Sequence, residues 1–223
     1  MSYYEHCRYR NFEGVVIVCA NFDDPDVIEL MNSEIPVVTI DYVHHNCTAV
    51  TSNNIQGMED LVKYIYSQGH RKIAYIHGQE GSSVTRDRLA SFYRTIDELG
   101  LEIPDTYVRS ADYLETKGSA KQTKELLNLE DPPTCIIYPD DTSLIGGRNV
   151  IIEMGLRIPR DISVAGYDGT MISQLLYPKL TTIRQNTEII GSEAAIRLVG
   201  TIEKPRTTLV ERVVIEGSLV PGH

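Results

Sequence analysis

Two apolar segments that each end in acidic residues constrain the fold of this chain more than any other feature. The first covers residues 135–138 and is followed by Asp140 and Asp141; the second covers residues 162–165 and leads to Asp168. A helical pattern separates the two. Short apolar runs joined through a helix are typical of parallel strands buried on both faces. Because ligands bind outside the carboxyl ends of such strands, we expect Asp140 and Asp168 to lie near one cleft.

The same alternation of apolar runs and helical patterns extends over most of the chain. Residues 15–19, 37–40 and 73–76 have strand character, and Asp24 followed by Pro25 predicts the start of a helix. Three helical patterns end at a glycine, which adopts the left-handed cap conformation at little cost, namely Gly69, Gly100 and Gly155. Repeated alternation of this kind predicts an α/β fold with parallel sheets flanked by helices.

The composition restricts the partners that the chain can bind by itself. There are 31 acidic against 21 basic residues, a net charge of -10, while 42% of the residues are hydrophobic and suffice for buried cores. A protein that holds DNA through phosphate contacts usually presents a basic face. We therefore expect no DNA binding through the chain's own charges.

The cysteines and the apolar segments bear on the cellular compartment. Cys7, Cys19, Cys47 and Cys135 show no short pairwise spacing, and we expect them to be reduced and buried. No segment has the apolar core of a signal peptide or the ~18 apolar residues of a membrane span. The sequence thus predicts a cytoplasmic protein without membrane contact.

Several motifs occur in a defined order along the chain. They are IPVVTID at 35–41, GHRKIAYI at 69–76, the acidic pair at 140–141, GLRIP at 155–159, DISVAGYD at 161–168 and PKLTTI at 178–183. In these motifs, and over about residues 14 to 218, the chain resembles the ligand-sensing core of the LacI/GalR family of bacterial transcription regulators.

The resemblance implies a two-lobed fold like that of periplasmic binding proteins, closing over a small polar effector such as a sugar. One lobe would hold residues 1–52 plus 186–204, the other residues 53–185 plus 205–223. Family members are homodimers and carry a helix-turn-helix and a further strand before the position of Gly14. This chain shows neither, so we expect an N-terminally truncated first lobe with an exposed sheet edge, and operator DNA contacts only through a helix-turn-helix missing from this chain.

The resemblance also implies which residues contact the effector. Arg88 matches an arginine aimed at the effector, and its fixed donors suit hydroxyl groups or a carboxylate. Asp168, Asp140 and Asp41 match acids at the ends of strands, and Tyr113 matches an aromatic ring that stacks on the effector. The alternatives are a surface arginine, acids that only cap turns or helices, and a core tyrosine.

Two other kinds of site, a phosphatase active site and a metal site, have less support in the sequence than an effector site. The sequence Asp168-Gly169-Thr170 resembles the end of a haloacid-dehalogenase-type phosphatase motif, but Gly166 replaces the nucleophilic aspartate of that motif. His44, His45 and Cys47 lie too close together, without a distant partner, to form a tetrahedral metal site. We therefore expect no enzymatic activity, no cofactor and no metal.

A solute-binding protein of a sugar transport system is the alternative function, because such proteins share the two-lobed fold. They are exported, whereas this sequence predicts no signal peptide. The motifs at 69–76 and 178–183 favour the regulator.

Overall fold

The computed structural model describes residues 1–19 and 21–222. Its elements in chain order are α1 (Tyr3–Tyr9), β1 (Val15–Ile17), α2 (Pro25–Met31), β2 (Val37–Ile40), β3 (Thr48–Ser52), α3 (Asn54–Ser67), β4 (Ile73–His77), α4 (Ser83–Glu98), a 3₁₀ turn (Asp105–Tyr107), β5 (Val108–Ser110), α5 (Thr116–Leu127), β6 (Cys135–Ile137), α6 (Asp141–Glu153), β7 (Ser163–Asp168), α7 (Met171–Leu175), β8 (Thr181–Arg184), α8 (Thr187–Glu203), β9 (Arg212–Ile215) and β10 (Ser218–Val220). The predicted α/β class is confirmed.

Local signals explain where the helices begin and end. Asp24 caps α2 by accepting a hydrogen bond from the backbone of Asp26, with Pro25 at the first helical position. The three glycines predicted to end helices have positive φ values of 95°, 65° and 77°, at Gly69, Gly100 and Gly155. A side chain would strain the backbone at these positions, which is why glycine marks them.

The chain divides into two compact units. The first comprises Met1–Asn53 and Asn186–Glu216, and the second comprises Asn54–Gln185 and the segment that starts at Gly217. The structure corrects the expectation that residues 205–216 belong to the second lobe. They contain β9, which pairs in parallel with β3 from Ala49↔Arg212 to Ser52↔Ile215 and so completes the first unit's sheet.

The first unit is a parallel sheet of order β1-β2-β3-β9 with helices on both faces. Successive strand residues point to opposite faces, so Val37 packs towards α1 and α2 while Val38 packs towards α8. In the described residues β1 pairs only with β2 and is an edge strand. An edge was expected in this lobe.

The second unit contains a sheet of order β10-β8-β7-β6-β4-β5, parallel except where β10 runs antiparallel to β8. Tyr75 and Ile137 belong to the core under α3 and α4, whereas Ile76 and Ile136 belong to the core under α5 and α6. Both faces are buried, which accounts for the continuous apolar runs in the sequence. The carboxyl ends of β4, β6 and β7 therefore share one edge of this sheet.

The cysteine prediction needs one correction. Cys7, Cys47 and Cys135 are buried and unpaired, but Cys19 is exposed. The strand β1 ends at Ile17, and the backbone turns at Cys19 with φ 54°. In residues 1–19 and 21–222, no helix has the length and apolar character needed to cross a bilayer.

Candidate ligand-binding site

Arg88 is the centre of a polar cluster at the carboxyl end of the second unit's sheet. It lies near the start of α4 and is only 2% exposed. Its Nε donates to Oδ1 of Asn54 at 2.8 Å, and its Nη1 donates to the carbonyl of Pro139 at 2.9 Å. A buried charge is costly unless it is paired, so these two bonds hold the guanidinium in one orientation.

Two aromatic rings flank this guanidinium. Its central carbon lies 3.5 Å from the ring centroid of Tyr167 and 6.0 Å from that of Tyr113. Burial by itself would lower the pKa of Arg88, but Tyr167, Tyr113 and Asp168 around it outweigh this effect and raise that pKa. The side chain therefore stays charged, and the rings add cation–π attraction.

Tyr113 is held in place from two sides. Its hydroxyl shares a 2.9 Å hydrogen bond with Oγ1 of Thr85, and its ring lies against Gly78. A Cβ atom at Gly78 would be 2.1 Å from that ring, so only glycine leaves room for it. Burial raises the pKa of Tyr113, which keeps the phenol neutral. The ring is thus fixed in one position, and its predicted stacking on an effector stays a prediction.

Asp168 ends β7 next to the arginine. Its Oδ1 lies 3.9 Å from Nη2 of Arg88 and accepts a hydrogen bond from Nε2 of Gln185 at 2.5 Å. The side chain is 27% exposed, whereas that of Arg88 is 3% exposed. Its backbone φ is 95°, which side-chain-bearing residues rarely adopt. Strain of this kind is common where a side chain must point into a functional site.

Asp140 caps a helix in this structure, and its predicted contact with an effector stays a prediction. It is the N-cap of α6 and is 1% exposed, and one carboxylate oxygen accepts from the backbone of Ser143 at 2.7 Å. The other accepts from the hydroxyl of Ser143 at 2.8 Å and from the backbone of Leu114 at 2.9 Å. Both oxygens are engaged inside the fold, so the geometry favours the helix-capping alternative for Asp140.

Asp141, the next residue, carries the carboxylate that sequence reasoning passed over. It is fully buried, and burial raises its pKa to about 6, against hydrogen bonds from Thr182 and Thr170 that lower it. Its Oδ1 accepts from the Thr182 hydroxyl at 2.8 Å, and its Oδ2 accepts from the backbone of Thr170 at 2.7 Å. This carboxylate therefore connects α6 to β8 and to the segment after β7.

Asp41 lies in the first unit, immediately after β2. Its φ is 58°, and its Oδ1 accepts from the backbone N–H of Ser52 at 2.9 Å. This bond ties the end of β2 to the end of β3. Its predicted contact with an effector stays a prediction.

The second unit therefore brings Arg88, Asp168 and Tyr113 together. The cluster offers guanidinium donors, carboxylate acceptors and aromatic faces at the sheet edge where open α/β folds bind ligands. Such a set suits a small molecule with several hydroxyl groups, because each hydroxyl both donates and accepts.

Comparison with known proteins places this geometry in a family. The family model described as "Periplasmic binding protein-like domain" matches residues 62–223, well over half of the chain. The chain belongs to this family. The chain is also similar to the probable HTH-type transcriptional repressor ExuR of Bacillus subtilis. The two are 28% identical over 207 residues, which cover 92% of this chain and 62% of that repressor.

Solved structures agree with the LacI resemblance. A LacI-family regulatory protein from Chloroflexus aggregans is 28% identical, with a TM-score of 0.84 over 99% of this chain and 79% of that one. The transcriptional regulator CelR in complex with cellobiose is 26% identical, with a TM-score of 0.86 over 99% of this chain and 70% of that one. The predicted LacI-type, periplasmic binding protein-like core is confirmed. This core spans about three fifths of the ExuR repressor.

Sequence reasoning missed three residues of the polar cluster around Arg88. Asn54 orients Arg88 from the first residue of α3, and its position two residues after the end of β3 was an available signal. Tyr167 stacks on Arg88 but looked like a core residue within an apolar strand. Asp141 was noticed only as the neighbour of Asp140, because the sequence does not reveal which of two adjacent acids points inward.

The histidine-rich loop gives no sign of a metal site. In residues 1–19 and 21–222, no group of three or more His, Cys, Asp or Glu side chains is arranged to hold a metal ion. Nδ1 of His44 lies 3.9 Å from Sγ of Cys47, and burial raises the pKa of Cys47 to about 11. Burial therefore keeps this thiol protonated at neutral pH.

Proposed function

We propose that this chain is the effector-sensing core of a LacI-type transcriptional regulator and that its effector is a small neutral polar molecule, namely a sugar. The observation that carries the proposal is the pairing of buried Arg88 with Asp168 beside the ring of Tyr113. The repressor relative and the regulator structures support the regulatory role.

The charges around the arginine favour a neutral effector. The Arg88 guanidinium already has Asn54 and Pro139 as acceptors and Asp168 as a neighbouring counter-charge. Asp168 contributes a negative charge at the exposed side of the cluster, which disfavours a ligand carboxylate or phosphate. A neutral polyol can instead donate to Asp168 while its apolar face stacks on Tyr113. The cellobiose bound to CelR supports this class of ligand.

For Asp41 the proposed ligand role rests on the family resemblance alone. Asp41→Ala removes its carboxylate and with it the bond that ties β2 to β3, so its effect on affinity must be compared with its effect on stability. We expect a lower unfolding temperature from the lost bond, and weaker sugar binding in the protein that remains folded.

We also propose that the chain forms a homodimer through α7 and Tyr177, two residues after it. Met171, Leu175 and Tyr177 are 78%, 74% and 92% exposed, and they lie within seven residues of one another. Monomeric proteins rarely expose such a concentration of large apolar side chains. Sedimentation should show a dimer that dissociates in the double variant Met171→Ser/Leu175→Ser. Ile196→Ser, an exposed apolar residue of α8, is the matched control and should leave the dimer intact.

We assign operator binding in the whole regulator to a helix-turn-helix outside these 223 residues. The net charge of -10 gives this chain little attraction for phosphates. A mobility-shift titration of the isolated protein against operator DNA should therefore show no sequence-specific complex. A specific complex would contradict this assignment.

Calorimetry with matched sugars tests the effector proposal. Glucose and cellobiose should bind more tightly than glucuronate, which differs from glucose by a charged carboxylate. Arg88→Ala and Asp168→Ala should each weaken binding by about 2 kcal/mol, because a partner hydroxyl is left buried and unpaired. Thr207→Ala, on an exposed turn of the first unit, is the control. Unchanged affinity in both cluster variants would rule out this site.

A further inference from the structure

The residues that follow β7 have unusual backbone geometry. Asp168 has a φ of 95° and Gly169 a φ of 65°, so two consecutive residues are in the positive-φ region. A Cβ atom on Gly169 would lie 2.4 Å from the Cα of Arg184, which shows how closely this segment approaches β8. An aspartate keeps such a conformation only where the surrounding structure holds it.

The carboxylate of Asp141 provides that hold. Its Oδ2 accepts from the backbone N–H of Thr170 at 2.7 Å and from the Thr170 hydroxyl at 2.9 Å. Its Oδ1 accepts from the Thr182 hydroxyl at 2.8 Å, and the oxygen of that hydroxyl accepts from the backbone N–H of Gly169 at 3.1 Å. The two backbone N–H groups after Asp168 are therefore both tied, directly or through Thr182, to one carboxylate.

Asp141 is itself firmly placed. It is the first residue of α6 and is fully buried. A Cβ atom at Gly166 would lie 2.3 Å from its Oδ1, so the glycine of β7 leaves the space that the carboxylate occupies. A buried, ionised acceptor makes stronger hydrogen bonds than a neutral one. This carboxylate is thus a rigid anchor for the segment beside it.

We propose that Asp141 is a positioning residue that holds the backbone of residues 168–170 so that the Asp168 carboxylate points towards Arg88. The benefit to effector binding rests on the function proposed above, whereas the effect on the backbone does not. An asparagine in its place cannot accept hydrogen bonds on both sides, because one of its two polar atoms is a donor. Asp141→Asn therefore removes one side of the hold while nearly preserving the side-chain volume.

Nuclear magnetic resonance without any ligand tests the positioning role. In Asp141→Asn at least one of the two amides, Gly169 or Thr170, should exchange about tenfold faster or more, since one of the two carboxylate acceptors is replaced by a donor. The one-bond Cα–Hα coupling of Asp168, which reports the sign of φ, should move away from its wild-type value. Amides of the central strands, such as those of Ile136 and Val164, should keep their wild-type rates.

Two further variants keep the test decisive. Thr182→Val removes the hydroxyl that links Gly169 to the carboxylate and should accelerate exchange at Gly169. Asp161→Asn removes a carboxylate that pairs with Arg157 before β7, and it should leave the segment unchanged. Wild-type rates at Gly169 and Thr170 in both site variants would overturn the proposal, and so would equal acceleration throughout the core.

A cellobiose titration separates this proposal from the proposed function. If cellobiose binds, Asp141→Asn should weaken binding several-fold in the wild-type background but not in the Asp168→Ala background, because Asp141 acts through Asp168. Equal losses in both backgrounds would overturn the positioning role. Failure of wild type to bind cellobiose would count against the effector assignment, while the ligand-free measurements would still decide on Asp141.

Discussion

Replacing Asp141 with asparagine should change how the stability of the second unit depends on pH. The folded-state pKa of about 6 is raised above the ordinary aspartate value of 3.8 because the carboxylate is buried. The folded protein therefore holds this proton more tightly than the unfolded chain does. Stability that wild type has at low pH is lost as pH rises between these two values.

The expected magnitude follows from the size of the shift. One pKa unit corresponds to about 1.4 kcal/mol, so complete titration costs wild type about 3 kcal/mol. Between about pH 4.5 and pH 7, roughly 2 kcal/mol of this cost should appear. Asp141→Asn has no carboxyl group to ionise at this position. The hydrogen bonds that this variant loses lower its unfolding free energy by a nearly constant amount at every pH. The difference in unfolding free energy between wild type and Asp141→Asn should therefore narrow by roughly 2 kcal/mol as pH rises from about 4.5 to 7.

Urea unfolding followed by tyrosine fluorescence measures this gap. The chain has 13 tyrosines and no tryptophan, and the largest fully buried tyrosines, Tyr75, Tyr107, Tyr138 and Tyr167, all lie in the second unit. The signal therefore reports mainly on that unit. A gap that stays constant, or widens towards neutral pH, would refute the argument that burial governs this carboxyl group.

Two further predictions concern packing and local stability. Gly78→Ala should destabilise the second unit by about 1–3 kcal/mol in urea unfolding, because the added carbon overlaps the Tyr113 ring. Gly191→Ala should be neutral or stabilising, because an added carbon there meets no atom within 4 Å beyond its own stretch of helix. Amide exchange should be fast across Val15–Ile17, which pairs on one side, and slow across Ile73–His77, which lies between two strands. Overlapping rates in the two strands would contradict this difference.

The sequence was sufficient to predict the helices, the strands and the fold class, because those features depend on local patterns. Strand runs, helix periods and capping residues are each encoded within a few neighbouring positions. Asp24 with Pro25 and the glycine at 155 are such signals, and the structure confirms them. The arginine of α4 was found through the motif around it, not through its own chemistry.

Pairings between distant segments could not be predicted in the same way. The residues around Arg212 were placed in the wrong lobe because the ladder that joins them to Ala49 spans more than half of the chain. The separate roles of Asp140 and Asp141 could not be predicted for a related reason, since their partners Leu114 and Thr182 lie far away in sequence. Side-chain direction at a helix start is decided by such long-range contacts.

The order of the two units along the chain limits how the polypeptide can be divided into fragments and affects the order in which the units fold. The main part of the second unit, Asn54–Gln185, interrupts the first unit between β3 and α8. Dividing the chain at one position does not separate the two units. Because each unit consists of two chain segments, neither can be expressed in full as one uninterrupted fragment. The first unit must also join segments separated by an insert of roughly 130 residues, and the entropic cost of closing a flexible loop grows with its length. Folding of the insert brings the two ends of that loop together. We therefore expect the second unit to fold early and the first unit to be completed last.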